Sequence, residues 1–293
     1  METLAIVPAL TLMLPALGPF LLTLILLLGV RRVAPGRPLL RTFLEDFSIL
    51  AGILLAFGLF DPASLVHFAN PERPMDWIPD LAGATFLSRT VFSLAFPLRI
   101  NSLFAEMVSI MAGSLILLFP LLRQHSLQSG LGLLTLTSLV WISVRLFFPG
   151  RRGAGLDPAL LLPVLLVSGT LSLVSPLSGS LLLGQLAGGL AAVLAAILFF
   201  SLMTGTRVSG IETGITLGAL VVIGRQYAEI PLPIIAGLLV ALAAGSLGNR
   251  IFSGSRRLPK WAILLLPAFL SIFPLGGAIL YAVKNLQSSG GGY

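Results

Sequence analysis

The chain has 293 residues, of which 56% are hydrophobic and only 10% charged, with a mean hydropathy of +1.02; soluble domains carry about 25% charged residues. That composition excludes an ordinary water-soluble enzyme and points to an all-α polytopic integral membrane protein, with the bilayer setting the length of each element. A net charge of +7 would suggest nucleic acid in a soluble protein, but here the arginines cluster in short connecting segments, as topology signals do, so no nucleic-acid partner is expected.

Taken in chain order, the apolar runs predict ten spans: Leu4 to Val30, Thr42 to Phe60, Ala82 to Leu98, Leu103 to Leu122, Leu131 to Phe148, Pro158 to Val174, Gly179 to Met203, Val208 to Gly224, Pro231 to Leu247 and Trp261 to Val283. The first lacks a basic leader and a small-residue cleavage site, so it reads as a retained span rather than a signal peptide. The third, "ATFLSRTVFSLAFPLRI", carries Arg89 and Pro97 and could instead be interfacial, which would leave nine. Residues 1–286 read as one transmembrane domain, 61–81 as an external loop with Trp77 as an interface anchor, and 287–293 as a disordered tail. Proline at positions 8, 15, 19, 163, 231, 233, 267 and 274, with interspersed glycine, suggests that several helices are broken. "GQLAGGLAA" (Gly184 to Ala192) has the small residues of close helix packing.

Charge counting orients these spans. With ten crossings, one side collects Arg31, Arg32, Arg37, Arg41, Arg99, Arg145, Arg151, Arg152, Arg207, Arg250, Arg256, Arg257 and Lys260, and the other Arg73, Arg123, Arg225 and Lys284, or 13 against 4. By the positive-inside rule both termini lie outside, in a cytoplasmic, bacterial inner membrane.

No cysteine is present, which removes thiolate metal sites, iron–sulfur ligation and cysteine nucleophiles. The two histidines, His67 and His125, fall in connecting segments and are not spaced as a pair on one helix face, so no metal, haem or other cofactor is expected. Gly-rich phosphate loops, HExxH and a serine-protease context are all missing, so no catalytic centre is expected. An ionised group at bilayer depth costs at least about 2.5 kcal/mol on insertion scales and needs a partner, water or a job. Two carboxylates, Glu106 and Glu212, fall at such depth and are the candidates for a proton or ion path, since buried carboxyl groups titrate nearer neutrality. Possible charge partners are Arg89, Arg99 and Arg207. Arg225 and Glu229 are spaced i, i+4 for a pair of their own. For Glu212 the alternative is an acid satisfied by the dipole at a helix start; for Glu106 it is an ion pair near the interface.

Two stretches resemble membrane-arm subunits of the respiratory complex I and group-4 membrane-bound hydrogenase superfamily. Residues 74–119, from "PMDWIPDLAG" through "FPLRINSLFAEMVSIMAG", look like the start of the antiporter-like subunits, with Asn101 where that family usually has Asp. Residues 210–251, opening "GIETGITLGALVVIG", are similar to the K-type subunit and to component E of the hydrogenases, in which a Glu in this context lies in a proton path. The resemblance therefore implies a proton-path role for Glu212; Glu106 matches no acid of the family. It also implies that 82–98 stays outside, against the charge count, and the intramembrane lysine of the antiporter-like subunits has no counterpart. The expectation is a non-redox membrane subunit of a proton- or Na⁺-translocating assembly, with the lipid bilayer and other membrane subunits as partners. A free-standing ten-helix secondary transporter and a structural scaffold are the alternatives.

Overall fold

The computed structural model describes residues 3–34, 36–66, 74–95, 157–206, 208, 211–252 and 259–288. The expected spans at 103–122 and 131–148 lie outside the described residues. Every regular element described is helical: α1 (Thr3–Val33), α2 (Pro38–Phe60), the short α3 (Pro62–Val66), a 3₁₀ turn (Pro74–Asp76), α4 (Trp77–Ala95), α5 (Pro158–Leu177), α6 (Leu181–Thr204), α7 (Ile211–Gln226), α8 (Leu232–Phe252) and α9 (Lys260–Ser288). Among the described residues six helices are long and apolar enough to cross a membrane, at Ala16–Val33, Leu40–Phe60, Pro158–Leu177, Leu181–Thr204, Leu232–Phe252 and Trp261–Ser288. Neither α4 nor α7 is among them. At 16 residues, α7 is about 24 Å long, short of the ~30 Å hydrocarbon core.

Helix boundaries follow local chemistry. Pro38 and Pro158 open α2 and α5 at positions where the missing N–H is not needed. Asp157 caps α5 through a hydrogen bond from the Ala159 N–H at 3.1 Å. Gly205, at φ 66°, ends α6 in the left-handed conformation that glycine adopts without penalty, its N–H bonding Ser201 O. The internal prolines, by contrast, do not break helices: Pro163 and Pro176 lie within α5, and Pro267 and Pro274 within α9. The expected external loop is also more ordered than its Pro-rich sequence suggests, since α3, the 3₁₀ turn and the start of α4 occupy much of 61–81, and Asp76, Ile78 and Leu81 are buried. At the other end α9 takes in Gln287 and Ser288, two residues expected in the tail.

The α5–α6 hairpin is the axis of the bundle. Ser168 Oγ of α5 donates to Ala187 O of α6 at 2.8 Å. α8 and α9 form a second hairpin, in which Ser271 Oγ donates to Ala241 O at 2.8 Å and to Pro267 O at 3.0 Å, and this hairpin packs on α5. α1 and α2 pack on each other and on α6. Phe86 of α4 stacks on Phe43 and Phe47 of α2, with ring centroids 5.3 and 6.2 Å apart.

Small residues permit these approaches. A Cβ on Gly189 would lie 2.7 Å from Ala56 Cβ, and one on Gly184 2.7 Å from Pro176, so the "GQLAGGLAA" segment is a packing motif, as expected. Gly245 of α8 meets Pro163 at 2.6 Å and Ser271 Oγ at 2.8 Å in the same sense. The outer surface is the reverse: Trp261, Leu265, Phe269, Ile272, Phe273 and Leu280 of α9 are all exposed. In water such a stripe would be an aggregation hazard; toward lipid it is the natural surface of a membrane helix.

This packing sets a stability contrast. Gly245→Val overpacks the α5–α8–α9 contact and lowers stability by about 1–3 kcal/mol, whereas Gly169→Ala, at a helical position with open space around it, is neutral or stabilising by up to about 1 kcal/mol. Thermal unfolding of the detergent-solubilised variants measures both.

Candidate functional site around the enclosed helix

α7 is the helix with the least exposure. Every residue from Glu212 to Gly224 is buried, because α4, α6 and α2 pack against it and α5 and α8 touch it as well. Apolar residues on all sides of a helix are what such a central position requires. Near its end, a Cβ on Gly224 would lie 3.0 Å from Leu183, close to the start of α6, and residues 205–210 join the opposite ends, so α6 and α7 run antiparallel.

Glu212 itself has no exposed surface and stands in the first turn of α7. Thr216 Oγ1 donates to the Glu212 backbone carbonyl at 2.8 Å, and Thr213 beside it is also fully buried. A helix dipole favours an acid in its first turn by about 0.3–1 kcal/mol at a surface and up to ~2 kcal/mol in a partly buried site. Removing an ionised carboxylate from water costs several kcal/mol. The dipole alone does not offset enclosure, so the carboxyl needs hydrogen bonds, a counter-charge or a proton.

The other expected residues are dispersed. Glu106, Arg99 and Arg207 lie outside the described residues, and Arg89 lies on α4, the helix that packs against α7. Arg225 is in the last turn of α7, remote from Glu212, and its Nη1 donates to Ile230 O at 3.2 Å. No ion pair joins it to Glu229, which is exposed and held at φ 50°, because the helix ends at Gln226 and the i, i+4 geometry is lost. Half-burial pushes the Tyr227 phenol in this turn above its ordinary value of 10, so it stays neutral at physiological pH.

Further buried acids went unnoticed in the sequence. Glu45 and Asp46 of α2, Asp61 at its C-terminal end and Asp76 before α4 are all buried. Glu45 accepts from Arg41 Nε at 2.8 Å, a pair its i, i+4 spacing could have revealed. Asp61 and Asp76 were hidden by their setting in a Pro-rich segment that reads as solvent-exposed. Among the described residues no group of three metal-ligating side chains converges.

Comparison with protein-family models, curated proteins and solved structures finds no match to the chain. Fold and site define a class only: among the described residues, an all-helical protein with six potential membrane-crossing helices and a short, enclosed, acid-bearing one.

Glu212→Ala leaves a cavity in an enclosed site and costs about 2–4 kcal/mol. Glu212→Gln keeps the shape and hydrogen-bonding capacity and stays within about 1 kcal/mol of the parent. Thermal unfolding of both distinguishes shape from charge, since a Gln variant as unstable as the Ala variant would mean that the site holds the negative charge itself.

Proposed function

We propose that the chain is a non-redox membrane subunit of a proton- or Na⁺-translocating assembly of the complex-I or membrane-hydrogenase kind, in which Glu212 takes up and releases the ion. One observation carries the proposal: a carboxyl group with no exposed surface, in the first turn of a helix enclosed by its neighbours and too short to cross the bilayer. Acids in such positions are kept where an ion or proton must pass. The buried acids of α2 and the 61–76 segment supply further polar groups away from lipid. The resemblance of 210–251 to K-type and component-E subunits singles out the same residue.

In this reading the arginine-rich segments around positions 99 and 152 face the cytoplasm of an inner membrane. The chain has no cysteine, so a single Cys at position 99 or 152 gives an unambiguous readout: both are expected to react with impermeant maleimide only from the cytoplasmic side. External labelling at either position would overturn that orientation.

Function is tested by purification in mild detergent followed by reconstitution. Co-migration with large redox subunits is expected, as is loss of coupled ion movement in Glu212→Gln with assembly intact. A monodisperse particle of this chain alone, stabilised by a small substrate, would favour a secondary transporter instead. Unchanged ion movement in the Gln variant would remove Glu212 from the path.

A further inference from the structure

α9 carries two glycines that its packing does not require. Elsewhere in the α8–α9 hairpin glycine marks a close approach: a Cβ on Gly245 would lie 2.8 Å from Ser271 Oγ, one on Gly248 3.2 Å from Pro267 Cα and one on Gly237 3.0 Å from Ala278 Cβ. A Cβ on Gly276 or Gly277 would meet nothing within 4 Å among the described residues. Both stand in the interior of a 29-residue helix, where glycine is less favourable than alanine because it leaves the backbone freer in the unfolded chain. Pro274 lies in the same turn. It has no N–H to donate to Leu270 O, so one bond of the helical ladder is missing there. At 3.6 residues per turn Gly276 lies about 200° around the axis from Pro274, on the opposite side of the helix. One side of this turn therefore lacks a bond that would hold it closed, and the other lacks a side chain that would crowd a bend.

The two parts of α9 that meet at this turn are held differently. Before it, Ser271 Oγ donates to Ala241 O of α8 at 2.8 Å, and Pro267 is seated against Gly248. After it, residues 278–288 form an arm about 16 Å long, on which Leu280, Tyr281, Val283 and Leu286 are exposed. The arm meets α8 through small groups, Ala278 against Gly237. We propose that residues 274–277 are a joint in α9, about which the arm swings while 261–271 stays fixed on α8. A bend of about 20°, the onset of a sharp helix kink, moves the tip of the arm by about 6 Å. The motion opens and closes the α8–α9 seam at Gly237, in the half of α8 that follows the turn from α7, and leaves the Ser271 tie in place. The joint does not depend on the proposed role of Glu212.

The test uses the full chain in nanodiscs, and the absence of native cysteine permits a clean pair of spin labels. Leu265→Cys and Leu286→Cys lie on either side of the joint, both at exposed positions, about 32 Å apart along a straight helix. Double electron–electron resonance reads the distribution of that distance. The labelled parent is expected to give a distribution at least about two-fold broader than Gly276→Ala/Gly277→Ala, whose added methyl groups enter open space and stiffen the turn. Pro274→Ala returns the missing donor and is an independent second variant, also expected to narrow the distribution. A parent distribution as narrow as those of both variants would overturn the proposal, as α9 would then be a rigid rod. A breadth that neither variant reduces would overturn it too, as the motion would then arise outside residues 274–277.

Discussion

The bundle is governed by the absence of water from the hydrocarbon interior, which obliges each polar group there to find its partner within the protein. Five of the described hydroxyl groups meet this requirement locally, whereas those of Thr23 and Ser201 are buried without a hydrogen-bond partner. Ser48, Thr85, Ser175, Thr204 and Thr216 each donate to the carbonyl four residues earlier, so a polar side chain adds no unsatisfied donor to its helix. Ser168 and Ser271 instead donate across a helix pair, and these two bonds tie the α5–α6 and α8–α9 hairpins. Apolar side chains gain nothing by leaving lipid for an equally apolar interior, so close packing and such cross-helix bonds must supply the specificity of association.

The same constraint explains why prolines expected to break helices sit inside continuous ones. Pro163 packs beside Gly245, and Pro267 beside Gly248. The ring's bulk is taken up by a neighbouring helix that offers no side chain there. Where a helix does end, the signal is different in kind: Gly205 supplies a left-handed residue and Asp157 a side-chain acceptor. Proline marks tight contact in this chain, while glycine has two roles, closing α6 at one site and admitting a neighbour at others.

Much of this was legible in the sequence because length and apolarity alone identify a helix that lipid surrounds. The runs at 42–60, 158–174, 179–203, 231–247 and 261–283 correspond to α2, α5, α6, α8 and α9, with ends displaced by a few residues. What could not be read was burial, because periodicity loses its meaning when both lipid-facing and core-facing positions are apolar. Apolar content alone does not distinguish α7, buried from Glu212 to Gly224, from α9, whose outer face is exposed. The burial of the acids in "LEDF" is equally invisible in the pattern of apolar residues, and that in "PMDW" is hidden by its Pro-rich setting. Only the packing of α4 and α6 about α2 and α7 reveals where Glu45, Asp46, Asp76 and Glu212 are enclosed.

The enclosure of Glu212 comes from the helices around α7: α4, α6 and α2 pack against it and α5 and α8 touch it, so that every residue from Glu212 to Gly224 is buried. The helix dipole returns less than enclosure costs, so the rest of the carboxyl's stabilisation must come from its partners within the protein.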